Sequence, residues 1–182
     1  RAAFEALRKS LKDAGVRMTG FNEFLKEAGG GAAPEPTQAD ILVDLAAGAA
    51  LFHSADGTAF ADLTVDDHRE TWPVRKKGFK RWLARQYFEQ TGGAPSSEAL
   101  QAALNVIESS AFFDAPELPV FVRVGGLDDK LYLDLGDEAW RAVEIDATGW
   151  RIVDEPPVRF RRAAGMKPLP VPAPGGSVET LR

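Results

Sequence analysis

The chain contains no cysteine, which excludes disulfide bonds and cysteine-based metal sites. This absence fits a reducing compartment, and we expect a cytoplasmic protein. No apolar run approaches the roughly 20 residues that a membrane-spanning helix needs. We predict no signal peptide, because residues 1–8 form an amphipathic helical pattern. An initiator Met is also missing, so we expect the chain to be a piece of a longer protein.

Motifs that carry chemistry are scarce. The sequence has neither a Gly-x-x-x-x-Gly-Lys-Ser/Thr phosphate loop nor a Gly-x-Ser-x-Gly nucleophile elbow. The two histidines, His53 and His68, lack a spacing that pre-aligns metal ligands, so structural roles are favoured over a metal site with Asp56 or Asp66. We therefore predict no cofactor and no catalytic residue, and whether the chain belongs to an enzyme stays open.

Two acidic clusters leave a metal-dependent primase or nuclease as an alternative. Such an enzyme needs two or three carboxylates that converge on a cation. The spacing matches no strong motif, and aspartates in turns usually cap and solvate them. The candidate residues are Asp62, Asp66, Asp67 and Glu70 in one cluster, and Asp134, Asp137 and Glu144 in the other.

Glycine and proline divide the chain of 182 residues into four parts. Residues 29–36 contain three glycines and two prolines, which predicts a linker. Residues 1–28 predict a hairpin of two short amphipathic helices. Residues 37–167 predict an α+β domain, and residues 168–182 predict a Pro/Gly-rich linker to a downstream domain.

The predicted hairpin has the outline of a helix-turn-helix, in which the second helix reads DNA. Gly15 suits the end of the first helix, and Thr19 can cap the second. The second helix, however, carries only Lys26 against Glu23 and Glu27. A helical hairpin that packs on another part of the protein is therefore the favoured interpretation.

In the α+β domain, short strands flank two central helices. Thr37 is predicted to cap a helix over 38–50, with Asp40 completing a capping box. The central helices are expected at 77–90 and from Ser96 or Ser97 to about 112. Strands are expected on both sides, joined by turns at Asp56-Gly57 (two residues), Asp66-Asp67, and Gly125-Gly126 to Asp128-Asp129. Such closely spaced strands predict an antiparallel sheet with two central helices, preceded by the small helical hairpin.

One basic segment stands out in an acidic chain. The net charge is −5 and the isoelectric point is about 5.1, which argues against a dedicated nucleic-acid module. Yet residues 71–88 hold six cations and no acid, and a second, smaller patch is expected near residue 160. The predicted nucleic-acid-binding residues are Arg75, Lys76, Lys77, Lys80, Arg81 and Arg85, with Arg159, Arg161 and Arg162 in the second patch.

Two interpretations of the basic helix are open. Its cations could neutralise several phosphates, with Trp72 or Trp82 stacking on unpaired bases. Alternatively, the helix face is solvated and balances acidic neighbours. Trp82 lies on the apolar stripe with Phe79, Leu83 and Tyr87, so we expect it in the core.

A series of short motifs resembles a known region of mobile-element proteins. This region lies just ahead of the P-loop ATPase in bacterial and phage primase–helicase-like ATP-binding proteins, and the similarity covers residues 38–182. The motifs that carry it are Leu51-Phe-His with Asp56-Gly57, Glu70-Thr-Trp-Pro-Val, Phe79-Lys-Arg-Trp-Leu, Val122-Arg-Val, Tyr132-Leu-Asp-Leu-Gly, Gly149-Trp150, Pro157-Val-Arg-Phe-Arg-Arg, and Pro168-Leu-Pro-x-Pro with Gly175-Gly176.

The resemblance implies a role in DNA replication beside a helicase or primase-like motor. An ATPase domain would follow this segment, and no catalytic residue carries over, because these residues contain no Walker motif. We therefore expect a non-catalytic domain that binds or positions DNA. The expected partners are DNA, the downstream ATPase domain and a further copy of the chain. The alternatives are an oligomerisation module that docks on the ATPase and the metal-dependent enzyme.

Overall fold

A computed structural model of the chain describes residues 35–175 and Ser10. Apart from Ser10, the predicted hairpin (1–28) lies outside the described residues, as does nearly all of the predicted linker (29–36). From Thr37 onward the described residues belong to one compact unit, which contains three helices and nine strands. This content confirms the predicted α+β class.

The first helix, α1 (Gln38–Ala46), begins with the predicted capping box. Thr37 Oγ1 accepts a hydrogen bond from the backbone N of Asp40 at 3.2 Å, and Asp40 Oδ2 accepts one from the backbone N of Thr37 at 3.0 Å. The helix ends four residues earlier than predicted. Gly48 disfavours further helix, and Ala50 already pairs with Asp62 in the first sheet.

Strands β1 (Ala50–His53), β2 (Ala59–Val65) and β3 (His68–Pro73) form an antiparallel sheet in that order. The predicted two-residue turn at Asp66-Asp67 is confirmed, and both aspartates have the positive φ angles, 44° and 63°, that such turns require.

The other turn of this sheet, at Asp56-Gly57, is longer than predicted. It takes five residues, 54–58, and Ser54 N donates to Thr58 O at 3.0 Å. Asp56 organises the loop by accepting from Ser54 Oγ at 2.6 Å and from Thr58 N at 3.0 Å. The hydrogen bond from Ser54 is the main cause that lowers the pKa of Asp56 to about 2.

Helices α2 (Lys77–Thr91) and α3 (Ser97–Phe113) confirm the predicted central pair. Gly92 ends α2 with φ 74°, and the Ser96 side chain caps α3. Both helices bury their apolar stripes with α1 and the first sheet. The main core contains Leu42, Ala46, Ala59, Ala61, Leu63, Val74, Phe79, Leu83, Tyr87, Ala103, Leu104, Ile107 and Ala111.

The chain then forms two further sheets where one was predicted. Strands β5 (Val124–Leu127), β6 (Lys130–Asp134), β7 (Ala142–Asp146) and β8 (Gly149–Val153) make an antiparallel sheet in sequence order. Strands β4 (Val120–Phe121) and β9 (Arg159–Phe160) pair in parallel, so the prediction of a single antiparallel sheet is wrong.

Gly125 and Gly126 lie within β5 and not in the predicted turn, which is confined to Asp128-Asp129. The Phe121 ring explains the glycine at position 125. A Cβ there would lie 2.6 Å from Phe121 Cδ2, so only a glycine lets the ring pack against the strand.

The start of the proline-rich segment packs onto the four-stranded sheet. Leu169 N donates to Leu135 O at 2.7 Å, and Arg123 Nη2 donates to Lys167 O at 3.0 Å. The segment covers an apolar cavity of about 230 Å³, lined by Leu133, Leu135, Val143, Ile145, Trp150, Leu169, Pro170 and Pro172. The boundary predicted between residues 167 and 168 therefore falls inside the packed region.

Among the described residues, no helix is both long enough and apolar enough to pass through a bilayer.

The start of α2 provides a stability test. A Cβ at Gly78 would lie 2.1 Å from Cε3 of Trp72. We expect Gly78→Ala to lower the free energy of unfolding by about 1–3 kcal/mol through overpacking, although alanine is the better helix former by about 1 kcal/mol. Gly93→Ala is the control, since nothing lies within 4 Å of its Cβ position. Urea denaturation measures both, and an unchanged or raised stability of Gly78→Ala would contradict the packing.

Candidate nucleic-acid interface

Helix α2 carries its cations on the face opposite its buried stripe. Lys77 and Arg81 are exposed and lie one turn apart. Phe79 and Leu83, both fully buried, hold the other face against the core. The core thus fixes the rotation of the helix about its axis, and this rotation directs the cations to solvent.

Four cations at the start of α2 have no internal carboxylate partner. Within residues 35–175, no Asp or Glu oxygen lies within 4.0 Å of their charged nitrogens. The first turn of α2 contains no acid, and its N-cap position makes no side-chain hydrogen bond. We call these four residues the basic surface: Lys76, Lys77, Lys80 and Arg81.

The electrostatics of this end of the helix are unfavourable for folding and favourable for binding an anion. The first backbone N–H groups of a helix point outward, and the helix dipole places partial positive charge there. Cations at this end repel the dipole, whereas an acid or a phosphate would be attracted. The basic surface therefore adds side-chain charge where the backbone already attracts anions.

Two other predicted cations of this segment are neutralised within the protein. Arg75 donates to Glu108 and, at 2.7 Å, to Asn105 Oδ1 on α3. The hydrogen bond between Arg75 and Glu108 raises the pKa of the arginine and lowers that of the carboxyl. Arg85 Nε lies 2.7 Å from Glu89 Oε1 in an exposed pair one turn along α2, which is a weak interaction in water.

The predicted second patch is divided between core and surface. Arg159 Nε lies 2.7 Å from Asp62 Oδ2, with its guanidinium 5.0 Å from the Phe52 ring centroid. Arg162 donates to both carboxylate oxygens of Asp134, at 3.1 and 2.6 Å. Only Arg161 keeps an exposed side chain. Arg159 and Arg162 hold the fold together and are left out of the basic surface.

The two tryptophans near α2 both make internal contacts. Trp72 donates to Glu70 at 2.6 Å, and its ring lies 5.8 Å from Trp140 in an edge arrangement. Trp82 packs against the main core, with its ring 5.5 Å from that of Phe79. The expectation of Trp82 in the core is thus supported, and neither ring stands free beside the cations.

The aromatic side chain that does stand free is Phe88, which the sequence argument did not select. It is 57% exposed in the last turn of α2. Its position relative to the apolar stripe was the available signal: it falls between Lys77 and Arg81 when α2 is viewed along its axis, at 100° per residue.

The acidic clusters bind cations of the chain itself. Asp62 accepts from Thr71 Oγ1 at 2.6 Å in addition to its arginine, and Glu144 pairs with Lys130 at 2.8 Å and with Arg151. The hydrogen bond from Lys130 is the main cause that lowers the pKa of Glu144. Over the part of the chain that the structure describes, no three His, Asp or Glu side chains are placed to hold a metal ion.

Both histidines contact protein groups. His53 Nδ1 lies 2.9 Å from the Ala111 carbonyl oxygen, and its ring packs 5.2 Å from that of Phe112. His68 Nε2 lies 3.2 Å from Glu70 Oε1. These contacts support the structural roles that were favoured for them.

Comparison with protein-family models, with curated proteins and with solved structures found no match. The resemblance to the mobile-element proteins therefore stays a prediction. The candidate site rests on its own geometry and charge.

The buried pair of Arg162 and Asp134 predicts a large stability effect. Arg162→Ala leaves the Asp134 carboxylate, whose side chain is 1% exposed, without its cation, which should cost about 3–5 kcal/mol of unfolding free energy. Arg161→Ala, one residue away and exposed, should change stability by less than about 0.5 kcal/mol. Chemical denaturation compares the two.

A double variant tests the reason for that difference. Removing both charges with Asp134→Ala/Arg162→Ala should be less destabilising than Arg162→Ala alone, because no uncompensated buried charge is left. Equal losses for Arg161→Ala and Arg162→Ala would show that the pair contributes nothing.

Proposed function

We propose that this domain binds nucleic acid, with the phosphate backbone held on the basic surface. The observation that carries the proposal is the group of four adjacent cations left without an internal carboxylate, in a chain whose 27 acids outnumber its 22 lysines and arginines. An acidic protein has ample means to neutralise its cations, and elsewhere it does so.

The remaining arginines show how strong that tendency is. Ten arginines lie within residues 35–175, and seven of them have a carboxylate oxygen within 4.0 Å: Arg69, Arg75, Arg85, Arg141, Arg151, Arg159 and Arg162. Against this background, a run of unpaired cations at one helix end favours an external anion.

Phosphates of nucleic acid fit this surface better than a single small anion does. The cations extend over more than one turn of α2, so several phosphates can be neutralised together, and each releases a condensed counterion. We further propose, from the resemblance, that the domain is a non-catalytic DNA-positioning part of a mobile-element helicase or primase-like ATPase.

Charge reversal on α2 tests the nucleic-acid proposal. Fluorescence anisotropy with a labelled strand of about 20 nucleotides, alone or in a duplex, should show binding at low salt. For four neutralised phosphates, log K should fall with log salt with a slope of about −3 on the single strand. Lys77→Glu/Arg81→Glu should weaken binding strongly and reduce the steepness of that slope by about 2.

The matched control makes the same change in net charge at another place. Arg161 and Lys167 are exposed and have no carboxylate within 4.0 Å among the described residues. Arg161→Glu/Lys167→Glu should therefore leave binding close to that of the unaltered protein. No binding at low salt, or equal losses in the two double variants, would contradict the assignment to α2.

A second candidate function, self-association, is favoured by the outer face of the four-stranded sheet. Leu131, Ile145 and Trp150 sit directly opposite one another across β6, β7 and β8, and they are 53%, 38% and 43% exposed. Val124 on β5 extends this apolar face and is 54% exposed. A second copy of the chain, placing the same face against it, would bury all four side chains.

Sedimentation velocity tests this candidate. If the face joins two copies, Leu131→Glu should shift the protein from dimer to monomer, because a buried unpaired carboxylate is costly. Val106→Glu on α3, where the valine is 49% exposed, should leave the dimer intact. A monomeric unaltered protein would exclude association through this face.

A further inference from the structure

Phe88 lies on the same side of α2 as the basic surface. Arg81 is seven residues earlier and Ala84 is four residues earlier, so the three side chains follow one line along the helix. The adjacent Tyr87 is buried and anchors this turn to the core. The ring of Phe88 is therefore held at a fixed place on a rigid element.

Nothing in the described part of the chain covers this ring. Phe88 is 57% exposed and makes none of the aromatic or cation–π contacts found within residues 35–175. The small side chain of Ala84 separates it from Arg81, which leaves the surface between them low. The only acid of α2, Glu89, is paired with Arg85.

The spacing suits a strand laid along the helix. Lys77 and Phe88 are eleven residues apart, which corresponds to about 16 Å along the axis. Phosphates can lie at the basic end while a base reaches the ring at the other end. Aromatic rings bind unpaired bases by stacking, whereas the bases of a duplex are already stacked on one another.

We propose that Phe88 is a base-stacking residue, and that the ligand of α2 is therefore single-stranded rather than duplex nucleic acid. This inference rests on the proposed function, since the basic surface must first hold the backbone. It adds a preference for strand type, which charge alone does not provide.

Substitution of Phe88 tests the inference on both ligands. Phe88→Ala should weaken binding to the single strand by roughly 5- to 150-fold, the usual range for one stacked base, and leave duplex binding unchanged. Phe88→Leu should behave like alanine, because it keeps apolar surface but has no π face. Phe88→Trp should retain single-strand binding.

Two controls separate this result from a folding defect and from general loss of apolar surface. Phe113→Ala removes a ring that is 79% exposed on α3 and should not change binding. Because Phe88 is exposed, its variants should keep the thermal midpoint of the unaltered protein.

The possible outcomes distinguish the two proposals. If Lys77→Glu/Arg81→Glu weakens binding to both ligands and Phe88→Ala weakens neither, the basic surface stands and stacking is overturned. If the charge reversal has no effect either, both proposals fall. Vesicles of anionic phospholipid form a third arm. Vesicle binding lost with Phe88→Ala, without a preference for single strands, would assign the ring to a membrane surface and overturn the inference.

Discussion

Two buried ion pairs from the last strand hold the two larger sheets of this domain. Arg159, on β9, pairs with Asp62 on β2 of the first sheet, and Arg162, just after β9, pairs with Asp134 on β6 of the four-stranded sheet. Both carboxylates are buried, and a buried charge is tolerated only when it is paired and hydrogen-bonded. The last strand must therefore be in place before either carboxylate is satisfied, which makes the two sheets depend on one short segment.

This constraint also sorts the basic residues by role. An arginine that compensates a buried carboxylate cannot leave it for a phosphate without exposing the domain to the full desolvation cost. Arg159 and Arg162 are thus committed to the fold, although their sequence context is as basic as that of α2. The lysines of the basic surface have no such obligation, so a ligand can engage them without competing against the structure.

Local features of the fold could be predicted from the sequence, and features that depend on distant partners could not. The capping box at Thr37, the turn at Asp66-Asp67 and the stripe of α2 follow from residues within one turn or hairpin. By contrast, Arg159 and Asp62 are 97 residues apart, and β4 and β9 pair over two residues each, which leaves no periodic signal. The candidate site shows the same division. The cations of α2 could be found from their spacing, but which of them are free could not, because Glu108 lies on another helix.

The fold and the candidate site are connected through a short series of aromatic contacts. The guanidinium of Arg162 stacks 4.0 Å from the Trp140 ring centroid, Trp140 meets the edge of Trp72, and Trp72 packs over Gly78 in the first turn of α2. Trp140 has φ 55°, a conformation that is strained for a bulky residue and persists only where its surroundings enforce it. Because Arg162 and Trp72 enclose this ring, the pair with Asp134 reaches the start of α2 through only two intervening tryptophans. The buried charge that secures the last strand thereby also supports the position from which the basic surface faces solvent.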